Sequence, residues 1–358
     1  MDIRDVARRA GVSISTVSRV TNRKGTVNRE MTDRVWRAVR ELDYHPDVQA
    51  RALVSGRSHI IGLMVTEITN PFFPELVQCF EKMAVEAGYE VLLASTPQDP
   101  ASIARSVRRV LQRKVDGVAV MMFGREAAIL EELATHSVPL VVMDRAPSGM
   151  ARSRIDAVQV NYDHGICEAV THLYELGHRQ IAFVSGPLEQ ASARLRRDAF
   201  EKGMRGRQIK VRADLMVEGD HTLEGGMAAI GALLARAQPP TAVVCSNDLT
   251  AIGVLHGVFE AGKQVPDDLS VIGFDDVHIA QFMLPPLTTV RMACADIAQV
   301  AFSTLRNRIE TPTTRHAGGP AAVPVETKLI LRQTTAPLRQ GEAAASPGKI
   351  SRARPQAT

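Results

Sequence analysis

The spacing of apolar residues predicts three short helices at the start of the chain. Val6, Ala7 and Ala10 share one face of a helix that Asp2 can cap, running from Ile3 to Arg9. Val17 and Val20 share a face of a second helix. Met31, Val35, Ala38 and Leu42 follow at steps of four, three and four, which is the stripe of a third amphipathic helix. These patterns predict an all-α domain over residues 1–46.

From His59 onward the pattern changes to strands that alternate with helices. Ile60–Val65 is a continuous apolar run, as expected of a strand covered on both faces. Amphipathic segments follow such runs repeatedly, first over 74–143 and again over 165–274. Successive βα units predict parallel sheets in two similar α/β halves.

The segment Ala10–Val20 has the pattern of a helix-turn-helix. Gly11 tolerates the turn between two helices, and Ser13 can cap the second helix. Ile14, Ser15, Ser18 and Arg19 point outward from that helix. Hydroxyl groups and an arginine at the start of an exposed helix suit the DNA major groove. Taken alone, the segment could equally be a plain helical hairpin.

Residues 47–57 link the two parts. Asp47 can cap a short helix, Val48 to Leu53, which ends at Ser55-Gly56-Arg57. A helix of this length is not stable in isolation. The segment is therefore either a simple connector or a hinge that folds when it binds.

Charge is distributed unevenly along the chain. Residues 1–57 contain twelve Lys or Arg and seven Asp or Glu, whereas residues 58–335 have a net charge of −4. A basic head on an acidic body points to a polyanionic partner. Residues 336–358 are again basic, without apolar periodicity, and we expect a disordered tail there. The tail has no leucine heptads, which favours a dimer over a tetramer.

Several classes of protein are disfavoured. No apolar run approaches the length of a membrane span, and MDIRDVARRA is not a secretory signal. The four cysteines are scattered, which suits a reduced, cytoplasmic protein without a metal site. The nucleotide-binding, serine-hydrolase and zinc-protease motifs are missing. We therefore expect neither an enzyme nor a bound cofactor.

A long, ordered set of residues resembles the lactose/galactose repressor (LacI/GalR) family. In the head and hinge the set comprises Asp5-Val6-Ala7, Ala10-Gly11-Val12-Ser13, Thr16-Val17-Ser18-Arg19-Val20, Arg34-Val35, Leu42, Tyr44, Pro46 and Ala50-Arg51-Ala52-Leu53. It continues from Asn70-Pro71-Phe72-Phe73 to about Arg332. The resemblance implies a DNA-binding domain over 1–46, a hinge over 47–57 and an effector-binding and dimerisation domain over 58–335.

In this family the effector domain resembles periplasmic sugar-binding proteins, with two lobes joined by three crossovers. We place the crossovers near Val160, near Thr289–Arg291 and near Ala322–Pro324. The N-lobe would then cover about 58–160 and 291–322. The C-lobe would cover about 161–290 and 323–335.

The resemblance also assigns DNA contacts. Ile14, Ser15 and Arg19 match the base-contacting positions. Ile14 suits a thymine methyl group, the Ser15 hydroxyl can donate or accept a hydrogen bond, and Arg19 can bond a guanine edge. Thr16, Asn22 and Tyr44 match positions that contact phosphates. Leu53 matches a leucine that is wedged into the minor groove and kinks the DNA; otherwise it would anchor the head to the effector domain.

Candidate effector-binding residues follow the ends of predicted strands, where ligands of open α/β sheets bind. Asp144, Asn247 and Asp275 stand at such ends, and Ser192 and Arg196 follow Gly186-Pro187. By resemblance, Arg196, Asn247 and Asp275 are the main hydrogen-bonding groups, with Ser192 and Asp144 nearby. Phe72, Phe73 and His221 could pack against a ring. Alternatively, the phenylalanines belong to the core and His221 to a solvent-facing loop.

Three departures from the family pattern bear on the effector. His221 stands where an aromatic residue is common, and Met292 where a polar residue faces the ligand. Gln190 stands where purine-responsive relatives have arginine. We therefore expect a sugar or sugar acid to control a homodimeric, sequence-specific repressor of a pseudo-palindromic DNA operator. The alternatives are a purine-responsive repressor and a periplasmic-type solute-binding protein.

Overall fold

A computed structural model describes residues 1–21, 27–44, 56–66, 68–95, 100–121, 126–136, 138–143, 155–311 and 322–339 of the 358-residue chain. Three residues with predicted roles, Asn22, Leu53 and Asp144, lie outside these ranges, so their roles stay predictions. In the described part of the chain, no helix combines the length and the apolarity needed to span a bilayer.

The head consists of α1 (Ile3–Ala10), α2 (Ile14–Thr21) and α3 (Arg29–Glu41). Asp2 caps α1 in a capping box with Asp5, as the sequence predicts for the first residue. Val6, Val17 and Val35 are fully buried and form the centre of the head core. Met31 was expected on the same inward stripe but is 42% exposed. It lies in the first turn of α3, beyond the small core that Val35 and Ala38 fill.

The N-lobe is built on a parallel sheet of strand order β2-β1-β3-β4-β5, which β11 extends. Its strands are β1 (Ile60–Val65), β2 (Glu90–Ser95), β3 (Gly117–Met121), β4 (Leu140–Met143) and β5 (Ile155–Asn161). Its helices are α4 (Phe72–Glu86), α5 (Pro100–Gln112), α6 (Glu126–Thr135) and, later in the chain, α11 (Cys294–Glu310). The predicted alternation of strands and helices is confirmed, and β1, β3 and β4 are buried between apolar clusters, whereas the edge strand β2 is partly exposed.

The C-lobe repeats this plan with the strand order β11-β10-β9-β8-β6-β7. Its strands are β6 (Ile181–Ser185), β7 (Met216–Glu218), β8 (Ala242–Cys245), β9 (Ser270–Asp275) and β10 (Thr288–Met292). Its helices are α7 (Tyr162–Glu175), α8 (Ala191–Gly206), α9 (Leu223–Leu234) and α10 (Asp248–Glu260). The carboxyl ends of β6, β8 and β9 meet at one edge of the sheet, which is where the candidate site lies.

One long strand, β11 (Ala322–Ile330), belongs to both sheets. Its first part, Ala322–Glu326, pairs in parallel with β5 of the N-lobe. Its last part, Thr327–Ile330, pairs antiparallel with β10 of the C-lobe. The chain therefore changes lobe between Glu326 and Thr327, a few residues later than the predicted crossover at Ala322–Pro324. The second crossover likewise comes after Met292 rather than at Thr289–Arg291, because β10 stays paired to its end.

The sequence predicts a disordered tail from Ala336 onward, but residues 336–339 contact the C-lobe. The backbone N–H of Ala336 donates to Ser270 Oγ at 3.1 Å, and that of Leu338 donates to the carbonyl of Leu176 at 2.8 Å. The buried imidazole of His178 also bonds the Ala336 carbonyl, at 3.0 Å. These polar partners, which are distant in sequence, hold residues 336–339 against the C-lobe.

Candidate functional site

The turn of the head is fixed by an arginine from the third helix. Gly11 has a positive φ of 63° and ends α1 in the left-handed conformation. The Arg34 guanidinium donates to the carbonyl of Ala10 at 2.6 Å and to that of Gly11 at 2.9 Å. A Cβ on Gly11 would lie 2.7 Å from Arg34 Nη2. The angle between the first two helices therefore depends on both residues.

Helix α2 presents its predicted base-contacting residues to solvent. Ser13 Oγ accepts the Thr16 N–H at 3.1 Å and lies 2.8 Å from Ser15 Oγ, so Ser13 caps the helix as predicted. Ile14, Ser15 and Arg19 are exposed, and Ile14 is an apolar side chain 46% open to water. Thr16 and Tyr44 are half-buried. The placement leaves the outer face of α2 open to a partner.

In the C-lobe, the structure brings Arg196 and Asp275 together at the sheet edge. Arg196, on α8, is 2% exposed, and its Nη1 donates to the Ser246 carbonyl at 2.5 Å. Its Nη2 lies 3.8 Å from Asp275 Oδ1, which makes an ion pair without a close hydrogen bond. The guanidinium also lies 4.2 Å from the centre of the Phe274 ring and 5.1 Å from that of Tyr162. Two aromatic faces thus flank the buried charge.

Asp275 ends β9 in an unusual environment. Its φ is 113°, a conformation that residues with a side chain rarely adopt. Its buried Oδ1 has no hydrogen-bond partner within the described residues. Burial raises the pKa of Asp275 to about 7, although the Arg196 charge opposes this rise and the Glu75 carboxylate adds to it. The carboxyl oxygen is therefore placed to accept a hydrogen bond that no described residue donates.

His221 lies against the same group of residues. Its Nδ1 is 3.2 Å from Ser246 Oγ, and its carbonyl accepts Asn247 Nδ2 at 3.0 Å. Burial and the Arg196 charge lower the pKa of His221 to about 3, so the imidazole is neutral at physiological pH. Gly186 makes room for the ring, because a Cβ there would lie 1.9 Å from His221 Nε2. His221 is thus part of the cleft and not only a solvent-facing loop residue.

Asn247 and Ser192 stand at the beginnings of the two helices that face this edge. Asn247 caps α10 by accepting the Thr250 N–H at 2.9 Å. Ser192 is 3% exposed in the first turn of α8, one turn before Arg196. Both residues therefore lie where parallel strands end and helices begin, as predicted.

The buried carboxyl group of Asp248, which follows Asn247 at the end of β8, holds the loops around this site. Asp248 is fully buried, and it accepts the Thr289 hydroxyl at 2.5 Å and the Val277 N–H at 2.9 Å. Burial and the neighbouring Asp275 charge raise its pKa well above the usual value. Asp248 thereby ties the start of α10 to the loop that follows Asp275.

Two of the predicted site residues in the N-lobe, Phe72 and Phe73, are buried. Phe72 and Phe73 are 1% and 3% exposed, and their rings meet edge to face at 5.4 Å. Both belong to the apolar core, which is the alternative that the sequence left open. Glu75, one turn further along α4, crosses to the C-lobe, where its Oε1 accepts the His278 N–H at 2.8 Å. Sequence analysis missed Glu75, since no local pattern shows that it reaches the other lobe.

Comparisons with known proteins agree with this arrangement. Residues 2–47 match the family model described as "Bacterial regulatory proteins, lacI family", and residues 170–335 match "Periplasmic binding protein-like domain". The ribose operon repressor of Escherichia coli K12 is 36% identical over 312 residues, which is 87% of this chain and 94% of the relative. This chain belongs to the LacI family.

Two further similarities bear on architecture and regulation. The transcriptional repressor PurR of Histophilus somni is 33% identical and covers 93% of the chain and 98% of its own length. Among solved structures, the lac repressor dimer bound to operator and the anti-inducer ONPF has a TM-score of 0.81, with 28% identity and coverage of 94% and 99% of the two chains. The protein is accordingly a LacI-family DNA-binding transcription regulator controlled by a small molecule.

Proposed function

We propose that the protein is a homodimeric repressor whose affinity for a pseudo-palindromic operator is set by a sugar bound between the lobes. The buried pair of Arg196 and Asp275 carries this proposal, because a guanidinium beside a carboxyl oxygen that lacks a donor suits vicinal hydroxyl groups. Neutral His221 and the amide of Asn247 complete a polar edge on the C-lobe.

The charges around the cleft favour a neutral sugar over a sugar acid. Asp275 already lies beside Arg196, and the Glu75 carboxylate raises the pKa of Asp275. Another carboxylate bound here would meet these acidic groups with a single buried arginine to offset them. The E. coli ribose operon repressor and a LacI-family regulator from Enterococcus faecium with bound ribose support a pentose as the first candidate.

The regulatory mechanism is a linkage between cleft and operator. A ligand that contacts both lobes changes their relative orientation, and with it the placement of the two hinges and heads of the dimer. Whichever lobe arrangement the ligand binds more tightly becomes more populated, and the coupling between ligand and operator is reciprocal. The sign of regulation therefore depends on which arrangement also holds the operator.

Dimerisation has a candidate surface next to the cleft. Ile279, Phe282 and Leu284 are 49%, 64% and 92% exposed in the segment that follows Asp275. Such a cluster of large apolar side chains is unusual on a free surface and typical of an interface. Base contacts by Ile14, Ser15 and Arg19 from two copies would then recognise two half-sites, with Thr16 and Tyr44 at the phosphates.

The test combines ligand binding with operator binding. A thermal-shift screen of D-ribose, other pentoses, hexoses, sugar acids and purines identifies the ligand, since a ligand that binds only the folded state raises its melting temperature. Fluorescence anisotropy then measures binding to a duplex selected by the protein from a random pool. We expect a neutral sugar to stabilise the protein and to change operator affinity at least fivefold. Sequence-indifferent DNA binding, or stabilisation by a purine alone, would overturn the proposal.

A further inference from the structure

One exposed helix face of the N-lobe carries an unbalanced positive charge. Residues 100–115, which include α5, contain five basic residues and no acidic residue. Arg105, Arg108, Arg109, Arg113 and Lys114 are all exposed. Their spacing places them along one side of α5 and the turn that ends it. We name this set the basic stripe.

On two other helices of the effector domain basic side chains pair with acidic ones of the same helix, whereas α5 contains no acidic residue. On α8, Glu201 pairs with Arg205 at 3.2 Å, and on α11, Glu310 pairs with Arg306 at 2.8 Å. Within the described residues, no carboxylate lies within 4 Å of any member of the basic stripe. Arg105 instead donates to Ser102 Oγ at 2.6 Å. Like charges at helical spacing repel one another, so the stripe suits an anionic partner.

The stripe ends at the edge where the segment from the DNA-binding head enters the N-lobe. The backbone N–H groups of Ser58 and His59 donate to the carboxylate of Asp116 at 2.7 and 2.9 Å. Asp116 follows Lys114 by two residues, so these hydrogen bonds hold the entry point of the chain beside the end of the basic stripe. Lys114 itself has a positive φ of 52°, where glycine would be favoured.

The head is joined to this edge by a short connection. Eleven residues, 45–55, separate Tyr44 from Gly56. Even fully extended they span at most about 40 Å. The edge that carries Arg113 and Lys114 is therefore the part of the N-lobe to which the DNA-binding head is tethered.

We propose that Arg113 and Lys114 bind operator phosphates, forming a second DNA-binding surface on the effector domain beside the entry of the hinge. The proposal rests on operator binding by the dimer, as proposed above. Contacts of this kind add affinity and salt dependence without base specificity. Because they belong to the N-lobe, any reorientation of the lobes would also move them relative to the DNA.

The test compares Arg113→Gln/Lys114→Gln with wild type on the duplex selected by the wild-type protein. Two positions in two subunits give four phosphate contacts, and each lost contact lowers the slope of log K against log salt by about 0.9. We expect a slope smaller by up to about four and an affinity at 0.15 M salt that is lower by at least about tenfold. The charge-retaining variant Arg113→Lys/Lys114→Arg should keep the wild-type slope.

A matched control removes two exposed charges from the C-lobe. Arg236→Gln/Lys263→Gln lowers the net charge equally at exposed positions far from the entry of the hinge. If both double variants show the same slope and affinity, the stripe does not bind DNA. Loss of the dimer in sedimentation by the stripe variant alone would also overturn the proposal and make the stripe part of a subunit interface. Failure of the wild-type protein to select any duplex would instead contradict the proposed function.

Discussion

The two lobes contribute to the cleft in different ways. On the C-lobe side, Ser246 contacts both Arg196 and His221, and Asp275 forms an ion pair with Arg196, so these groups are held in place before any ligand arrives. On the N-lobe side, Phe72 and Phe73 belong to the core, and the carboxylate of Glu75 reaches across to the C-lobe. Polar specificity is therefore concentrated on one lobe.

This asymmetry suggests a division of labour. A preorganised set of polar groups binds a ligand with little entropic cost, so the C-lobe should set most of the affinity. The N-lobe meets the C-lobe through a side chain that can release its partner, the Glu75 to His278 hydrogen bond. The N-lobe should therefore set how far the cleft closes, and this closure is the step that changes operator affinity.

The largest effect is expected from Asp275→Asn and lies in its pH dependence. With a folded pKa near 7 and an ordinary unfolded value near 3.8, the folded state holds a proton that the unfolded state releases. Wild-type stability from this group is complete below pH 3.8 and is lost as pH rises to 7. Asparagine does not titrate, so lowering the pH from 7 to 5 should stabilise wild type relative to the variant by about 2.3 kcal/mol.

Thermal unfolding across this pH range checks the prediction. Asp198→Asn, which changes an exposed carboxylate, serves as the control and should run parallel to wild type. Parallel curves for wild type and Asp275→Asn would mean that the Asp275 carboxyl is not held in its neutral form.

Arg196→Lys should weaken sugar binding by about 2 kcal/mol, or roughly 30-fold, because lysine keeps the charge but loses the planar fork. Isothermal titration calorimetry with the sugar identified in the thermal-shift screen measures this change. Arg197→Lys is the control, since Arg197 is the next residue and pairs at the surface with Asp198 and Glu201. Equal affinities for the two variants would remove Arg196 from the binding site.

Glu75→Ala should act less on affinity and more on coupling. Loss of the acceptor for the His278 N–H should weaken sugar binding about fivefold, or about 1 kcal/mol, which is the net contribution of a typical hydrogen bond. The ratio of operator affinities with and without sugar should shrink further than that, because lobe closure is what the residue supports. Glu81→Ala, which removes an exposed carboxylate from the same helix, is the control. A variant with weaker sugar binding but full coupling would argue against a role of Glu75 in closure.

Sequence reasoning predicted the elements that depend on local pattern. The Asp2 cap, the Ser13 cap and the strand ends that carry Asn247 and Asp275 follow from residues a few positions apart. Contacts between distant segments were missed, among them Arg34 on the turn at Gly11, Glu75 on the opposite lobe and His178 on residue 336. Their partners lie 23 to 203 positions away, and a hydrogen bond over such a separation leaves no periodic pattern.

The smallest effect is expected from a change at His221, whose imidazole lies at the polar edge of the C-lobe. His221 has a pKa near 3 when folded and an ordinary value near 6.5 when unfolded. Its contribution to stability is therefore complete above pH 6.5 and is lost as pH falls toward 3. His221→Phe keeps a ring in the space beside Gly186 but does not titrate. Lowering the pH from 7.5 to 5.5 should therefore destabilise wild type by about 1 kcal/mol relative to this variant. His256→Gln, which removes an exposed histidine, should show no such gain. If sugar affinity stays unchanged in His221→Phe while the acid gain appears, the imidazole serves the fold of the C-lobe edge and the hydroxyl contacts belong to Arg196, Asp275 and Asn247.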